Sequence, residues 1–357
     1  MSDAAAGRKP VLVTGATGYV AGPLVRELLE RGYTVHAAMR DAHRQSKREH
    51  LDAAAAGLPG QLRYFESDLL KPGSYAEAMR GCSHVFHTAS PFVLGVEDPQ
   101  RDLVDPAVLG TRNVLETANQ TGSVVRVIVT SSVAAIYGDN ADLKRAQGGV
   151  FSEDDWNTSS SLGHQPYSYS KVMAEREAWK IAEAQSRWRL VTVNPSLVLG
   201  PGLKAHGGAQ SYQIVQQMCD GTMKAGVPDF RIGLVDVRDV ALCHVKAAFE
   251  PEAQGRYLCS GWDSGFVEMA RILRESFGDE MPIPKRKLPK FMVWLFGPML
   301  DKAFTRRVIA RNIGRPFRAD HGKSVRELGM SYRRLEETLA PMVEQMRGAG
   351  LLGGGSL

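Results

Sequence analysis

A strand, a glycine-spaced turn and a helix follow one another near the start of the chain, and together they leave few folds open. Val11-Leu12-Val13-Thr14 is short, apolar and β-branched; Gly15-Ala16-Thr17-Gly18-Tyr19-Val20-Ala21 follows, and an amphipathic helical pattern begins directly after it. In that setting Gly15-x-x-Gly18-x-x-Ala21 reads as a turn that holds a dinucleotide. Gly15 permits the tight turn, Gly18 lets the backbone approach a pyrophosphate, and Ala21 keeps the helix close to its strand. Thr17, Tyr19 and Val20 complete the cradle. The helix start presents free N–H groups and a partial positive charge to phosphates.

The rhythm continues. Strand-like runs at 11–14, 34–39, 62–66, 84–88, 125–130 and 191–194 alternate with helical patterns such as 23–31, 112–119 and 170–184. Continuous apolar strands separated by helices predict an α/β fold, a doubly wound parallel sheet of the Rossmann type with ligands at the carboxyl ends of its strands. After Gly200-Pro201-Gly202 the rhythm weakens. Strand-then-helix units at 234–249 and 256–277 are expected to return to the sheet. That division makes 1–202 plus 232–277 the dinucleotide-binding domain and 203–231 plus 278–350 a smaller substrate lobe, with 351–357 a disordered tail.

Composition narrows the function. The 357 residues, 43% hydrophobic and 23% charged, suit a soluble globular protein with a large core. A net charge of +5 is too mild to imply nucleic acid and fits an enzyme with an anionic cofactor. Cys82, Cys219, Cys243 and Cys259 are widely spaced with no CxxC pair, which argues against a disulfide framework or zinc site. His84 and His87 are three apart on a strand-like run, so they take opposite faces and do not share a metal. No metal is expected. The first ten residues lack a signal-type apolar core, and the oily stretch 291–300 is far short of the roughly 20 residues of a spanning helix. The expected location is the cytoplasm.

The end of the second strand discriminates between cofactors. An acidic side chain there would bind a ribose diol, whereas a basic one accommodates a 2′-phosphate. The chain has Ala37-Ala38-Met39-Arg40, followed by Arg44, Lys47 and Arg48. Arg40 can fork around phosphate and Lys47 can reach back from the next helix, so the cofactor reading is NADPH/NADP+. Asp68-Leu69, after the third strand, is placed to meet the adenine edge. Thr88-Ala89-Ser90, after the fourth, would run under the ribose and pyrophosphate.

The chemistry rests on Tyr167-Ser168-Tyr169-Ser170-Lys171. A phenol at its reference pKa of about 10 is a poor acid or base at neutral pH. Lys171, one helical turn later, shares a face with Tyr167; its charge favours the phenolate, and its ammonium can hold ribose hydroxyls. Tyr169 has no such partner, because Val172-Met173 follow. A hydroxyl from a neighbouring strand end would hold the substrate oxygen, and Ser131 and Ser132 are the candidates.

The chain resembles the extended short-chain dehydrogenase/reductases, in their dihydroflavonol reductase-like branch, which also holds cinnamoyl-CoA reductases and methylglyoxal-type carbonyl reductases. The likeness rests on Val13-Thr14-Gly15-Ala16-Thr17-Gly18, His87-Thr88-Ala89-Ser90-Pro91-Phe92, Val129-Thr130-Ser131-Ser132, the Tyr167 to Glu175 stretch, Asn194-Pro195-Ser196-Leu197-Val198-Leu199-Gly200-Pro201 and Val235-Asp236-Val237-Arg238-Asp239. It implies that Ser132 is the catalytic serine, Tyr167 the proton donor and Lys171 its partner. It also implies that Arg40 and Lys47 read the phosphate, and that Pro195, Ser196, Leu197 and Val198 line the nicotinamide. Two departures stand out. Leu109 occupies the place of an Asn often found in this superfamily, and that role is not transferred to nearby Asn113. The Asn-Trp-Tyr-Cys-Tyr-Gly-Lys signature of cinnamoyl-CoA reductases is missing, which argues against a CoA thioester.

The resulting expectation is NADPH-dependent reduction of an aldehyde or ketone, by a monomer or homodimer acting on a small-molecule carbonyl or alcohol. Rival readings on the same fold are a nucleotide-sugar epimerase or dehydratase, a steroid dehydrogenase/isomerase, and a non-catalytic dinucleotide sensor. The stretch 282–318 sets an oily run among cations. An anionic membrane surface, a cleft cover or a subunit contact would each suit it; the plainest reading is an ordinary helical lobe with solvated basic faces.

Overall fold

The computed structural model describes residues 8–90, 96–300 and 303–352. Pro91 and Phe92, and the tail 353–357, lie outside the described residues. The first half runs β1 (Val11–Thr14), α1 (Ala21–Glu30), β2 (Thr34–Met39), α2 (Gln45–Ala55), β3 (Gln61–Glu66), α3 (Ala76–Met79), β4 (His84–His87), α4 (Asp105–Gln120), β5 (Arg126–Thr130), α5 (Pro166–Glu183) and β6 (Arg189–Pro195). The second half runs β7 (Leu197–Leu199), α6 (Gln210–Cys219), β8 (Val227–Pro228), β9 (Arg231–Asp236), α7 (Val237–Phe249), β10 (Gly255–Cys259), β11 (Trp262–Gly265), α8 (Phe266–Phe277) and β12 (Lys287–Leu288). It ends with α9 (Lys290–Leu300), α10 (Arg306–Asn312), α11 (Gly322–Leu328) and α12 (Leu335–Gly348).

Among the described residues, seven strands form one sheet in the order β3-β2-β1-β4-β5-β6-β10. Every pairing in it is parallel, and β1 sits between β2 and β4 with Val11 opposite both Val35 and His84. Side chains alternate across a strand, so Val11 and Val13 enter one core with Leu24 and Leu28 of α1 and Val240 of α7, whereas Leu12 enters the other with Val114 and Leu115 of α4. Both faces are covered, which is why the strands read as unbroken apolar runs. Leu24 and Leu28 have no exposed surface, and burial of this kind stabilises the fold by about 1.5–3 kcal/mol per side chain.

One expectation is corrected. The strand near Leu234 does not return to the main sheet: β9 pairs parallel with β7 and antiparallel with β11 in a separate three-stranded sheet. The place beside β6 is already taken by β10, which pairs Gly255 with Val191. Only α7 comes back, packing against α1 and the main sheet. α8 likewise shares a core with α6 and α12, through Tyr212, Met269, Leu273, Leu339 and Met342. The small sheet therefore joins the dinucleotide fold to the lobe. The four cysteines are buried and unbridged.

Candidate active site

Strand order reverses between β1 and β4, so the segments leaving their carboxyl ends diverge and open a crevice. A cleft of ≈ 1610 Å³ lies there, above the roughly 300–1,000 Å³ of a pocket for one small ligand. Gly15, at φ +63°, turns the chain at its floor; a Cβ added there would fall 2.9 Å from the Cα of Ala89. The two strand ends are tied together: Thr88 Oγ1 donates to the Thr14 carbonyl at 2.5 Å, and the Ala89 N–H donates to Thr14 Oγ1 at 3.1 Å. No side chain caps the start of α1, and its first turn carries no acid. Within that turn the Gly22 N–H is taken by the Gly18 carbonyl at 3.0 Å and Pro23 has none, so a pyrophosphate here would meet chiefly the partial positive charge of the helix start and the backbone of the glycine turn.

Arg40, Asp68 and Leu69 line the cleft beside this turn. Asn113 shapes their wall: its Nδ2 donates to the Leu69 and Lys71 carbonyls at 3.0 and 2.9 Å, and its Oδ1 accepts the Gly73 N–H at 3.0 Å. Asn113 therefore acts as scaffold for the loop after β3. Lys47 lies apart from the cleft lining, exposed on α2; burial of Lys204 lowers the Lys204 pKa, and the Lys47 charge lowers it further. Thr17, Gly18, Tyr19, Val20, Thr88, Ala89, Ser90, Pro195, Ser196, Leu197 and Val198 all border the cleft. Ser196 Oγ is buried and has no hydrogen-bond partner among the described residues.

The candidate reactive groups come from the ends of β4 and β5 and the start of α5. Lys171 Nζ donates to Ser90 Oγ at 3.1 Å and stands 5.6 Å from the centre of the Tyr167 ring. Tyr167 is 52% exposed. The other phenols on the cleft wall, Tyr19, Tyr75 and Tyr137, are all raised by burial, so Tyr167 is the one left facing solvent. His87, beneath Lys171, has its pKa lowered to about 3 by burial and then by the Lys171 charge. It stays neutral and pairs with Thr14 Oγ1 at 3.0 Å.

The serine pair separates by geometry. The backbone is extended at Ser132, so consecutive side chains diverge. Ser131 donates to the buried carboxylate of Glu175 and is consumed there. Ser132 Oγ accepts the Ala134 N–H at 3.1 Å, which leaves its own proton available toward the cleft it borders.

Two polar networks hold these groups, and neither was assigned a role from sequence. Glu175, on the same face of α5 as Lys171, accepts from Arg256 Nε and Asn194 Nδ2, each at 2.7 Å. Asp139 is the second hub, bonded to His164 Nε2 at 2.8 Å and Asn312 Nδ2 at 2.7 Å, and also to Arg311. Burial pushes its carboxyl up, but the hydrogen bonds from His164, Arg311 and Asn312 outweigh this and hold it below the usual value. Gln165, in the left-handed region at φ 57°, donates to the Gly138 carbonyl at 3.0 Å and so fixes the turn into α5. The helix spacing of Glu175 was a usable signal; nothing local links Asp139 to Arg311.

The remainder of the cleft is uncharged: Ile214, Met223, Phe230, Ile232, Phe304 and the inner side of α9 line it together with the amides of Gln210, Gln213, Gln217 and Asn312. Among the described lining residues, the charged ones are Arg40, Asp68 and Lys171, all on the glycine-turn side.

The family model described as "NAD dependent epimerase/dehydratase family" matches residues 11–258. A cinnamoyl-CoA reductase from Medicago truncatula is 34% identical over 340 residues, 94% of this chain and 95% of its own length. A cinnamoyl-CoA reductase from Petunia hybrida is 38% identical over 279 residues, covering 77% of this chain and 79% of that protein. The NADPH complex of Gre2 from Candida albicans superposes with a TM-score of 0.75 at 28% identity, over 96% of this chain and 99% of that one.

Proposed function

Because the chain belongs to the NAD dependent epimerase/dehydratase family, in its dihydroflavonol reductase-like branch of NADP-dependent reductases, we propose that it is an NADPH-dependent carbonyl reductase working through Ser132, Tyr167 and Lys171. The observation that carries the reading is one cleft holding an uncapped helix start, Arg40, a phenol with its ammonium neighbour, and a serine with a free proton. Where a 2′-phosphate would sit, Arg40 supplies a fork of donors. Gly15, Gly18 and the run Thr88-Ala89-Ser90 supply backbone for the pyrophosphate. Pro195, Ser196, Leu197 and Val198 would line the nicotinamide, and the orphan Ser196 hydroxyl offers it a partner.

When bound, the nicotinamide supplies a hydride to the carbonyl carbon. Ser132 donates its hydroxyl proton in a hydrogen bond to the substrate oxygen and fixes it beside Tyr167. The Tyr167 phenol gives its proton to that oxygen. Lys171, now bonded to Ser90, would hold the ribose hydroxyls and favour the phenolate left behind. The uncharged wall of the substrate half suits an aldehyde or ketone on an apolar body; it offers no counter-charge for a nucleotide-sugar diphosphate.

The test follows NADPH absorbance over a panel of apolar carbonyls, comparing wild type with Tyr167→Phe and Ser132→Ala. Both variants should retain the fold and lose at least about a hundredfold in kcat. Equal turnover by Tyr167→Phe on every substrate reduced would remove the assigned role.

A further inference from the structure

After Lys290, α9 is apolar all the way round. Met292, Val293, Phe296, Gly297 and Leu300 border the cleft, whereas Phe291, Trp294, Leu295 and Met299 do not. This second set, at i, i+3, i+4 and i+8, shares one face of the helix and stands in water, exposed by 70%, 44%, 49% and 83%. A helix lying on a protein surface normally turns polar residues outward. A contiguous apolar stripe in that place marks a surface built to meet something.

The charge around it says what. Residues 281–319 contain ten Lys and Arg and a single acid, Asp301, a net of +9 in a chain whose total is +5; all other residues together sum to −4. Arg306 lies over the exposed ring of Trp294 at 4.6 Å. Thr305 Oγ1 accepts the Val308 N–H at 3.2 Å, which sets Arg306 and Arg307 in the first turn of α10, both exposed. Lys285, Arg286 and Lys287 are exposed on the approach to α9.

We propose that α9 and its cationic flanks dock on an anionic phospholipid surface. Phe291, Trp294, Leu295 and Met299 enter the headgroup boundary while Arg286, Arg306 and Arg307 face lipid phosphates. A second copy meeting this stripe face to face would bring two strongly basic lobes together, so charge selects the lipid over the self-contact. The other side of the same helix borders the uncharged half of the cleft. Docking there sets the cleft mouth at the membrane boundary, whether or not the reductase reading holds.

The test sediments the whole protein with vesicles of phosphatidylcholine alone or with about one-third phosphatidylserine. Expected is at least about tenfold stronger partition onto the anionic vesicles, weakened in about 0.5 M salt. It should fall at least about tenfold in Phe291→Ser/Leu295→Ser/Met299→Ser and in Arg306→Glu/Arg307→Glu, with melting temperatures unchanged as the check on folding. A blue shift of fluorescence on binding should vanish in Trp294→Phe. Equal partition onto both vesicles, or onto neither, overturns the proposal. So does a dimer that the triple serine variant abolishes and anionic vesicles do not compete away. Coenzyme A binding that needs Arg306 and Arg307, without any vesicle binding, overturns it in favour of a soluble anion.

Discussion

Glu175→Gln removes one charge from the network beneath Ser131 and Ser132, and its cost can be worked from the structure. Glu175 is 1% exposed and Arg256 7%. The guanidinium keeps the Glu153 and Asp155 carbonyls at 2.8 and 2.6 Å and the Trp156 ring at 4.1 Å, but it loses its carboxylate. The new amide also turns a donor toward Ser131 or Asn194. Breaking one side of a buried pair costs about 3–5 kcal/mol, and Arg256→Met, which strands the carboxylate, should cost about the same. If the two acted independently the double variant would lose about 6–10 kcal/mol; with no charge left to strand it should lose only about 3–5, a coupling of at least about 2 kcal/mol. Urea unfolding of the four proteins by far-ultraviolet circular dichroism, with an unchanged slope, measures this. Additivity within about 0.5 kcal/mol, or a Gln variant within about 1 kcal/mol of wild type, would refute the reasoning.

Two other outcomes are expected. Arg40→Ser should raise KM for NADPH by about ten- to a hundredfold, the loss of one or two charge-assisted bonds, and leave KM for NADH nearly unchanged; an equal rise for both shows that Arg40 does not read the 2′-phosphate. Acid should unfold the protein through its buried histidines, since burial lowers His87 to about 3 and His244 to about 4. Both folded values lie below the ordinary 6.5, so the unfolded chain binds protons first and stability falls as pH drops from about 6.5 toward 4, by about 2 kcal/mol per histidine at pH 5. His244→Asn should flatten that fall in melting temperature; an unchanged slope would show that His244 does not titrate on unfolding.

The first half of the fold was legible because its information is local. Strand period, helix period and the turn after Thr14 lie within a few residues of one another, so β1, β2 and β4 appeared within about one residue of where they stand. The glycine turn was legible for the same reason: one φ and one close approach, to Ala89, dictate it. The pair Tyr167 and Lys171 is a single helical turn. The small sheet was not legible, because β9 is an apolar run like any other and only competition with β10 for the edge of β6 sends it elsewhere.

The same division runs through the site. Which residue types are available, and which share a helix face or strand end, is a property of the chain alone: phenol, ammonium, hydroxyl and glycine cradle follow from spacing and backbone geometry. Folding chose Ser132 over Ser131 by giving Ser131 to Glu175. It withdrew Tyr19, Tyr75 and Tyr137 by burial, joined Asp139 to Arg311 across the chain, and left one side of α9 in water. Burial and long-range partners set these choices, and both are sums over atoms that a sequence orders along a line and only packing brings together.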